Sequence, residues 1–390
     1  MKVLITTDWY APAVNGVVTS VLNLQRELTA LGHEVRVLTL SSTTRSYREG
    51  DVTYIGAVSA ERIYPGARLR TAPAIGLLQE IVDWHPDIIH SQCEFSTFRL
   101  AKRLSAITGA PIVHTYHTVY EDYTHYFSPS IKWGRRAVAA FSRWVVSHTA
   151  CVIAPTVKVR EILNRYHVSR PVHVIPTGID LSRFSAPRDA QRVARMRQKL
   201  GIPQEATVLL YVGRLAEEKN IDELLRFLSA EEQKDLYLLL LVGDGPYRAQ
   251  LEEQVCALHL TDRVRFAGMV SPQQVPEYYQ LGDLFVSAST SETQGLTYIE
   301  ALASGLPALC RQDPCLTGVI RDGVNGWQFR NGAEFHTALH RFLCDEELRR
   351  ELSQGAVETA RQEFSAQAFA ARVAAVYAQV LGQTPLMRAA

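Results

Sequence analysis

Short β-rich runs alternate with helix-period segments from the first residues of this chain, and the same alternation restarts past the midpoint. Lys2–Thr6 predicts a buried strand. Gly16 to Leu31 then carries apolar residues at helical spacing (Val17, Val21, Leu24, Leu28, Leu31) and meets a stop at Gly32. Val35–Leu40, Asp87–His90, Pro111–Thr115, Cys151–Ala154 and Val172–Ile175 predict further strands, with a helix over Ser96–Thr108. The second series has strands at Thr207–Val212, Leu236–Val242, Val264–Phe266, Leu284–Ser287 and Ala308–Cys310. Helices are expected over Ile221–Leu228, Ala249–His259 and Gly295–Ser304. Strands that alternate with helices need crossover connections, and these build a parallel sheet covered on both faces. The fold class is therefore α/β, with two doubly wound domains.

A chain of 390 residues suits two domains. Pro176–Phe184, PTGIDLSRF, lies between the two series and reads as the linker. The expected division is an N-terminal domain over 1–178, a C-terminal domain over 179–364, and a last helix in 365–390. That helix is rich in Ala and Val and can belong to either domain. Tandem doubly wound domains bind ligands in the cleft between the carboxyl ends of their sheets, so chemistry is expected in loops that follow strands.

Charge and cysteine content narrow the setting. The total of 41 Lys+Arg against 40 Asp+Glu argues against a general nucleic-acid binder. Residues 1–178 nevertheless carry a net charge of +6 and the remainder −5, so the two halves meet anionic partners differently. The six cysteines show no CxxC pair and no zinc spacing, which fits a reducing compartment. MKVLITTDWYAP reads as a strand and not a signal peptide, and no apolar run reaches the roughly 18 residues of a membrane span. The expectation is a cytoplasmic protein whose membrane contact is peripheral.

Four loops after strands carry chemistry. Asp8–Ser20 leads into the first helix with Asn15-Gly16 at its start, where amides and the helix dipole can hold a phosphate. A plain turn and N-cap would look the same. It is not GxGxxG, which disfavours a dinucleotide oxidoreductase. Gly213–Asn220, GRLAEEKN, places Arg214 and Lys219 where a pair of cations can neutralise a diphosphate, although a solvated loop has the same composition. Ser291–Ala301, SETQGLTYIEA, puts Glu292 in a loop and Glu300 eight residues on, within a helix whose first amides belong to Gly295, Leu296 and Thr297. A loop carboxylate can accept hydrogen bonds from sugar hydroxyls, and one in the helix can take both hydroxyls of a ribose. His114–Phe127 packs three His, four Tyr and two acids into fourteen residues. That density suits a polar acceptor, with Tyr120, Asp122 and Tyr123 as candidate contacts. His117, just beyond a strand's carboxyl end, is the candidate contact to a reacting sugar.

Taken in order, these segments resemble the retaining family 4 glycosyltransferases of the glycosyltransferase-B fold, and the resemblance spans nearly the whole chain. It is carried by Asn15–Val17, by GRL…EK from Gly213 to Lys219, by VGDGP at Val242–Pro246, by the pair Glu292 and Glu300, and by GLTYIEALASGLP from Gly295 to Pro307. YHTVYEDYTHYF at Tyr116–Phe127 is similar to bacterial 1,2-diacylglycerol 3-α-glucosyltransferases. Gln294 departs from the Phe of many members.

The resemblance implies two Rossmann-like domains facing across a cleft, UDP-glucose as donor, diacylglycerol as acceptor and no cofactor. Arg214 and Lys219 would bind the diphosphate and stabilise the departing UDP. Glu300 would bind ribose, and Glu292 with Gln294, Gly295, Leu296 and Thr297 would hold the donor sugar and phosphate. Asn15, Gly16 and Gly213 would line the phosphates, Met269 and Val270 would sit at the uracil, and His117 would touch the sugar. Transfer would retain configuration by same-face attack, the leaving phosphate helping to take the acceptor proton. There is no Asp-x-Asp, so a metal-bridged diphosphate is not expected.

A last segment bears on where the acceptor is met. At 100° per residue, Lys132, Arg136 and Arg143 fall within about 40° of one another on a helix over Ile131–His148, while Trp133, Trp144, Ala137, Phe141 and Val145 fall on the other side. This reads as a basic amphipathic helix at an anionic membrane surface; a core-facing helix with an exposed cationic side is the alternative. Arg68 and Arg70 add to the same half. The combined expectation is a peripheral enzyme on the inner face of the plasma membrane, making α-monoglucosyldiacylglycerol, with no nucleic-acid or protein partner. The alternatives are another acceptor (a glycolipid or soluble sugar), UDP-galactose as donor, or a sugar-nucleotide-binding regulator without catalysis.

Overall fold

Val3, Leu4 and Ile5 are fully buried, as a strand covered on both faces requires. The computed structural model describes residues 1–13, 15–60, 68–71, 74–117, 131–230 and 237–382, without the side chains of Ile131 and Lys132. In the first half the strands are β1 (Lys2–Thr6), β2 (Glu34–Leu40), β3 (Tyr47–Glu49), β4 (Val52–Ile55), β5 (Ala57–Ser59), β6 (Arg68–Arg70), β7 (Ile88–Ser91), β8 (Ile112–Thr115), β9 (Cys151–Ala154) and β10 (Val172–Val174). The helices are α1 (Gly16–Ala30), α2 (Ile75–Trp84), α3 (Ser96–Thr108), α4 (Ile131–Ser147) and α5 (Val157–Arg165).

The second half runs α6 (Ala190–Lys199), β11 (Thr207–Val212), α7 (Ile221–Ala230), β12 (Tyr237–Val242), α8 (Arg248–Ala257), β13 (Val264–Gly268) and α9 (Val275–Tyr279). It continues through β14 (Leu284–Ser287), α10 (Leu296–Ala303), β15 (Ala308–Arg311), β16 (Gly326–Phe329), α11 (Gly332–Cys344), α12 (Glu346–Glu363) and α13 (Ala366–Val380).

The chain folds as two units. One comprises Met1–Gly178 with the segment from Ala366 onward; the other is Ile179–Ser365. The first unit's main sheet has the order β10-β9-β8-β7-β1-β2-β4-β3, and only the β3–β4 pair is antiparallel. Strand order reverses between β1 and β7, whose register pairs Thr6 with Ser91. The second unit's sheet has the order β13-β12-β11-β14-β15-β16 and is parallel throughout. Its order reverses between β11 and β14. At such reversals the loops leaving neighbouring strands diverge and open a ligand crevice at the carboxyl ends.

Both cores are made by the apolar runs. Leu239, Leu240 and Leu241 of β12 are fully buried, and each such side chain contributes roughly 1.5–3 kcal/mol relative to exposure. In the first unit Val21, Leu24 and Leu28 of α1 pack with Phe369, Val373 and Tyr377 of α13. The Tyr377 hydroxyl also lies 2.5 Å from His90 Nδ1 in β7. The helical tail after Asp345 is two helices and not one, broken at Phe364 and Ser365. The backbone there is used otherwise, because Phe364 O accepts the N–H of Ile179.

Candidate active site

In the second unit the loops leaving β11 and β14 lie side by side, as the strand reversal requires, and are stitched together. Asn220 Nδ2 donates to Ala288 O at 3.2 Å and Ser291 Oγ to Glu218 O at 3.1 Å. Between them Lys219 Nζ meets Glu292 Oε1 at 2.6 Å, and Ser289 Oγ donates to the same oxygen at 3.0 Å. Arg214 is half exposed and forms an ion pair with Glu218, one helical turn on. The structure therefore brings Lys219 and Glu292 together, sets Arg214 on Glu218 of the same loop, and so holds each cation on a carboxylate.

The glycines of this region are places of backbone contact. Gly213 N donates to Val242 O at 2.9 Å, and a Cβ on Gly243 would stand 2.0 Å from Gly213 O. VGDGP is thus the floor on which the GRL loop rests. Gly295 precedes α10 with φ of +69°, and a Cβ there would meet the Tyr298 ring at 2.5 Å. The turn leaves the first amides of α10, at Leu296 and Thr297, without intrahelical acceptors. Gln294 just before it is buried.

Glu300 lies a turn into α10. The Tyr279 hydroxyl donates to its Oε2 at 2.8 Å. Burial raises the Glu300 carboxyl above the ordinary range; Tyr279 and the nearby charge of Arg183 oppose that rise. Met269, after β13, is 77% exposed, whereas Val270 packs partly against the core.

The first unit's carboxyl edge holds a second group of residues. Asn15 caps α1, its side chain accepting the N–H of Val18 at 2.9 Å, so the side chain serves the helix and the amides from Gly16 onward are the part of this turn suited to an anion. Asp8, in the loop after β1, accepts N–H bonds from Ser96 at 3.2 Å and Thr97 at 2.7 Å, and so caps α3 from another strand. Burial nevertheless pushes its carboxyl up to about 6, with a further upward push from Glu94. Residues just past β7 pair with residues at the end of β8 and just beyond it: Glu94 Oε1 with His114 Nε2 at 3.2 Å, and Gln92 Oε1 with His117 Nε2 at 2.6 Å. Burial holds His117 down at about 4, against the opposing pull of the Glu94 carboxylate.

Gln92, Glu94 and Tyr279 escape the sequence reading, and Asp8 enters it only as the start of the first loop. Gln92 and Glu94 obey the rule already used, that chemistry follows strands, and IIHSQCEF could have been added to the four loops on that ground. Tyr279 has no local signal, because it meets Glu300 through the tertiary fold.

Tyr120, Asp122 and Tyr123 lie outside the described residues, as does the side chain of Lys132. The rest of α4 divides in an unexpected way. Val138, Ser142, Val145 and Val146 face the core, while Trp133 is 70% and Trp144 40% exposed. Phe141 stacks on the exposed Phe95 at 5.7 Å, Lys102 stands over the Trp144 ring at 4.5 Å, and the Arg136 guanidinium lies 5.8 Å from the Trp133 ring. Arg143 is tied to Tyr166 O at 3.1 Å, and Arg68 to Ser41 O at 3.1 Å. Arg70 is half-buried on β6. Among the described residues no group of three or more His, Cys, Asp or Glu could hold a metal ion, and no helix is long and apolar enough to cross a membrane.

Comparison with known proteins matches each half of the chain to a family. Residues 14–183 match the model of Glycosyltransferase Family 4, and residues 193–359 that of glycosyl transferases group 1. The alpha-monoglucosyldiacylglycerol synthase of Streptococcus pneumoniae is 37% identical over 84% of this chain and 74% of its own length. The protein of the same name from Acholeplasma laidlawii is 30% identical over 98% of each chain. Among solved structures, the sucrose-phosphate synthase of Thermosynechococcus elongatus aligns with a TM-score of 0.75 at 22% identity, over 98% of this chain and 99% of its own. HepE of Anabaena, in complex with UDP and glucose, aligns with a TM-score of 0.74 at 18% identity, over 97% and 100%.

Proposed function

The chain belongs to the glycosyltransferases that join a family 4 half to a group 1 half, and from that premise we propose that it moves glucose from UDP-glucose to diacylglycerol, forming α-monoglucosyldiacylglycerol. One observation carries the acceptor assignment: the Acholeplasma relative bears that product's name and aligns over 98% of both chains. The donor assignment draws support from the cations after β11 and the carboxylate in α10, which suit a diphosphate and a ribose, and from the UDP and glucose bound by HepE on the same fold.

The chemistry follows from where charge develops. Breaking the bond between sugar and phosphate leaves negative charge on UDP and positive character on the sugar ring. Cations fixed before the reaction stabilise the first without reorganising at the moment of transfer. Arg214 and Lys219 take that role, with the amides of Leu296 and Thr297 as further donors. Glu300, oriented by Tyr279, accepts the ribose hydroxyls; Met269 and Val270 adjoin the base. Glu292 and His117 contact the glucose. Attack on the same face retains configuration, and the leaving phosphate helps take the acceptor proton.

Diacylglycerol resides in a membrane, and the aromatic face of α4 supports docking there. Trp133 and Trp144 stand out beside Arg136 and Lys102, a pairing of rings and cations that suits the interface of an anionic bilayer. We place the enzyme at the inner face of the plasma membrane on this ground.

The test is transfer of radiolabel from UDP-glucose and from UDP-galactose into diacylglycerol, in vesicles with and without anionic lipid. A labelled monoglucosyl lipid made from UDP-glucose, in greater yield with anionic lipid, is the expected result. UDP release without a lipid product would overturn the acceptor assignment and leave the donor chemistry.

A further inference from the structure

Gln92 occupies an unusual position. It lies one residue past β7, at the strand reversal of the first sheet, and its backbone N–H donates to Thr6 O at 2.8 Å in the neighbouring β1. Ser91 Oγ donates to Cys93 O at 2.9 Å and fixes the bend that follows. The Gln92 side chain is 1% exposed and crosses to the exit of β8, where its Oε1 lies 2.6 Å from His117 Nε2. The residue before His117 is anchored just as firmly. Tyr116 N donates to Ile153 O at 2.9 Å, and the Tyr116 hydroxyl lies 2.9 Å from Ser142 Oγ. Gln92 is thus tied to the sheet through its own backbone, and His117 through the residue before it.

An amide oxygen only accepts hydrogen bonds, so the ring nitrogen facing it must carry the hydrogen. A neutral imidazole has one such hydrogen, which leaves Nδ1 with a lone pair. The Gln92 Nε2 group is buried and has no acceptor among the described residues. A buried amide donor without a partner is unfavourable, and such groups gather at sites where a ligand or water completes them.

We propose that Gln92 is the positioning residue for His117: it holds the imidazole as the Nε2–H tautomer and so presents Nδ1 as the acceptor for a hydroxyl of the donor glucose. The proposal rests on the reading of His117 as a contact to that sugar. Its chemistry is that of orientation. A neutral ring with a fixed lone pair can order a hydroxyl in the ground state and still accept more strongly as positive character grows on the sugar. A protonated ring would instead donate, and would place a cation beside a carbon that is itself becoming positive.

The surroundings favour the neutral ring. Among the described residues the titratable groups around it are His114 of β8, Glu94 after β7 and His90 of β7; Asp8, after β1, is itself raised by Glu94 and acts on Cys93. Glu94 attracts a proton to His117, His114 repels it, and burial decides the outcome in favour of neutrality.

The experiment labels the histidines of the full chain with 15N and reads the His117 ring nitrogens by long-range 1H–15N correlation. The expected wild-type result is a hydrogen on Nε2, none on Nδ1, and no second proton until the pH nears about 4. Gln92→Glu sets a carboxylate against Nε2–H, which favours the protonated ring. His117 then titrates at a higher pH, and kcat for glucose transfer, read at saturating UDP-glucose, declines with acidification at a higher pH than in the wild type. Gln92→Leu removes the acceptor; kcat is expected to fall about tenfold, one hydrogen bond's worth, with KM for UDP-glucose little changed. If the Leu variant does not fold, the wild-type spectrum and the Glu variant still decide.

A hydrogen on Nδ1 in the wild type, as a reversed Gln92 amide would give, overturns the proposal. So does a Gln92→Glu protein whose His117 titration and pH–rate profile are unmoved. The ring spectra do not depend on the acceptor. If the wild type makes no glucosyl lipid while the spectra follow the Gln92 variants as stated, the acceptor assignment fails and the pairing stands.

Discussion

Lys219 Nζ and Glu292 Oε1 lie 2.6 Å apart, so the cation assigned to the diphosphate and the carboxylate assigned to the sugar are partners before any donor arrives. The pair is mostly shielded from water. It keeps a buried ammonium compensated and aims it at one place. On the roles proposed for them, a donor phosphate reaching Lys219 would compete with a carboxylate, and Glu292 released from that cation would gain the freedom to accept sugar hydroxyls.

Lys219→Ala should lower kcat for glucose transfer roughly 10²–10³-fold, the usual loss when one preorganised donor to developing charge is removed. Glu292→Gln should cost less in kcat and show more in KM for UDP-glucose. Initial-rate kinetics over a range of donor concentration separates the two. Equal losses in both parameters for Lys219→Ala and Glu292→Gln would argue that the pair is only structural.

Glu300 should impose an acid limit on donor binding. Burial raises its carboxyl, and a protonated carboxyl is a poorer acceptor for two ribose hydroxyls, so affinity for UDP should weaken as the solution is acidified from neutral pH. Glu300→Gln should bind UDP roughly 10–100-fold more weakly, the range for a hydrogen bond to a charged group. Its affinity should also lose the acid dependence. Calorimetric titration of UDP at several pH values checks both.

Asp8 should make the fold less stable as pH rises through the acid range. Its folded pKa of about 6 exceeds the ordinary 3.8. The folded state therefore binds more protons between those values, and stability is lost as pH rises from 3.8 through 6. The whole effect is at most about 3 kcal/mol at roughly 1.4 kcal/mol per pKa unit. Asp8→Asn keeps one acceptor for the α3 amides and should flatten this slope. Urea denaturation at a series of pH values measures it.

Trp133→Ala should reduce binding to anionic vesicles several-fold while leaving thermal stability within about 0.5 kcal/mol, as for surface sites generally. Trp144→Ala should cost both, because its ring packs under Lys102 and near Phe98 and Phe141. Vesicle sedimentation beside thermal melts distinguishes them. Undiminished sedimentation of the double variant would remove α4 from the docking face.

The strands read from the sequence were legible because each is an apolar run bounded by turn residues; β3, β4, β5, β6 and β16 were not read. Ser96–Thr108, Cys151–Ala154, Thr207–Val212 and Leu284–Ser287 fall where periodicity and composition put them. The face of α4 was not so legible. Hydropathy groups Val145 with Trp133 and Trp144, yet the core side runs through Ser142, a polar residue that enters because its hydroxyl meets Tyr116. A satisfied hydroxyl is invisible to an apolar stripe. The residues proposed for the nucleotide were read from loops contiguous in sequence, such as GRLAEEKN and SETQG. Gln92 with His117, Asp8 with the α3 amides and Tyr279 with Glu300 join different elements, and only the strand order reveals them.

The first unit is finished by α13, whose Phe369, Val373 and Tyr377 complete a core begun by Val3 and Ile5. On the ribosome this inverts the order of completion. The segment Met1–Gly178 must wait, with the apolar face of α1 uncovered, until α13 emerges, while Ile179–Ser365 is contiguous and can close as soon as it is made. A nascent chain arrested before Ala366 would hold a finished second unit and an unfinished first one, so loss of α13 should be felt as misfolding of the unit built from Met1–Gly178.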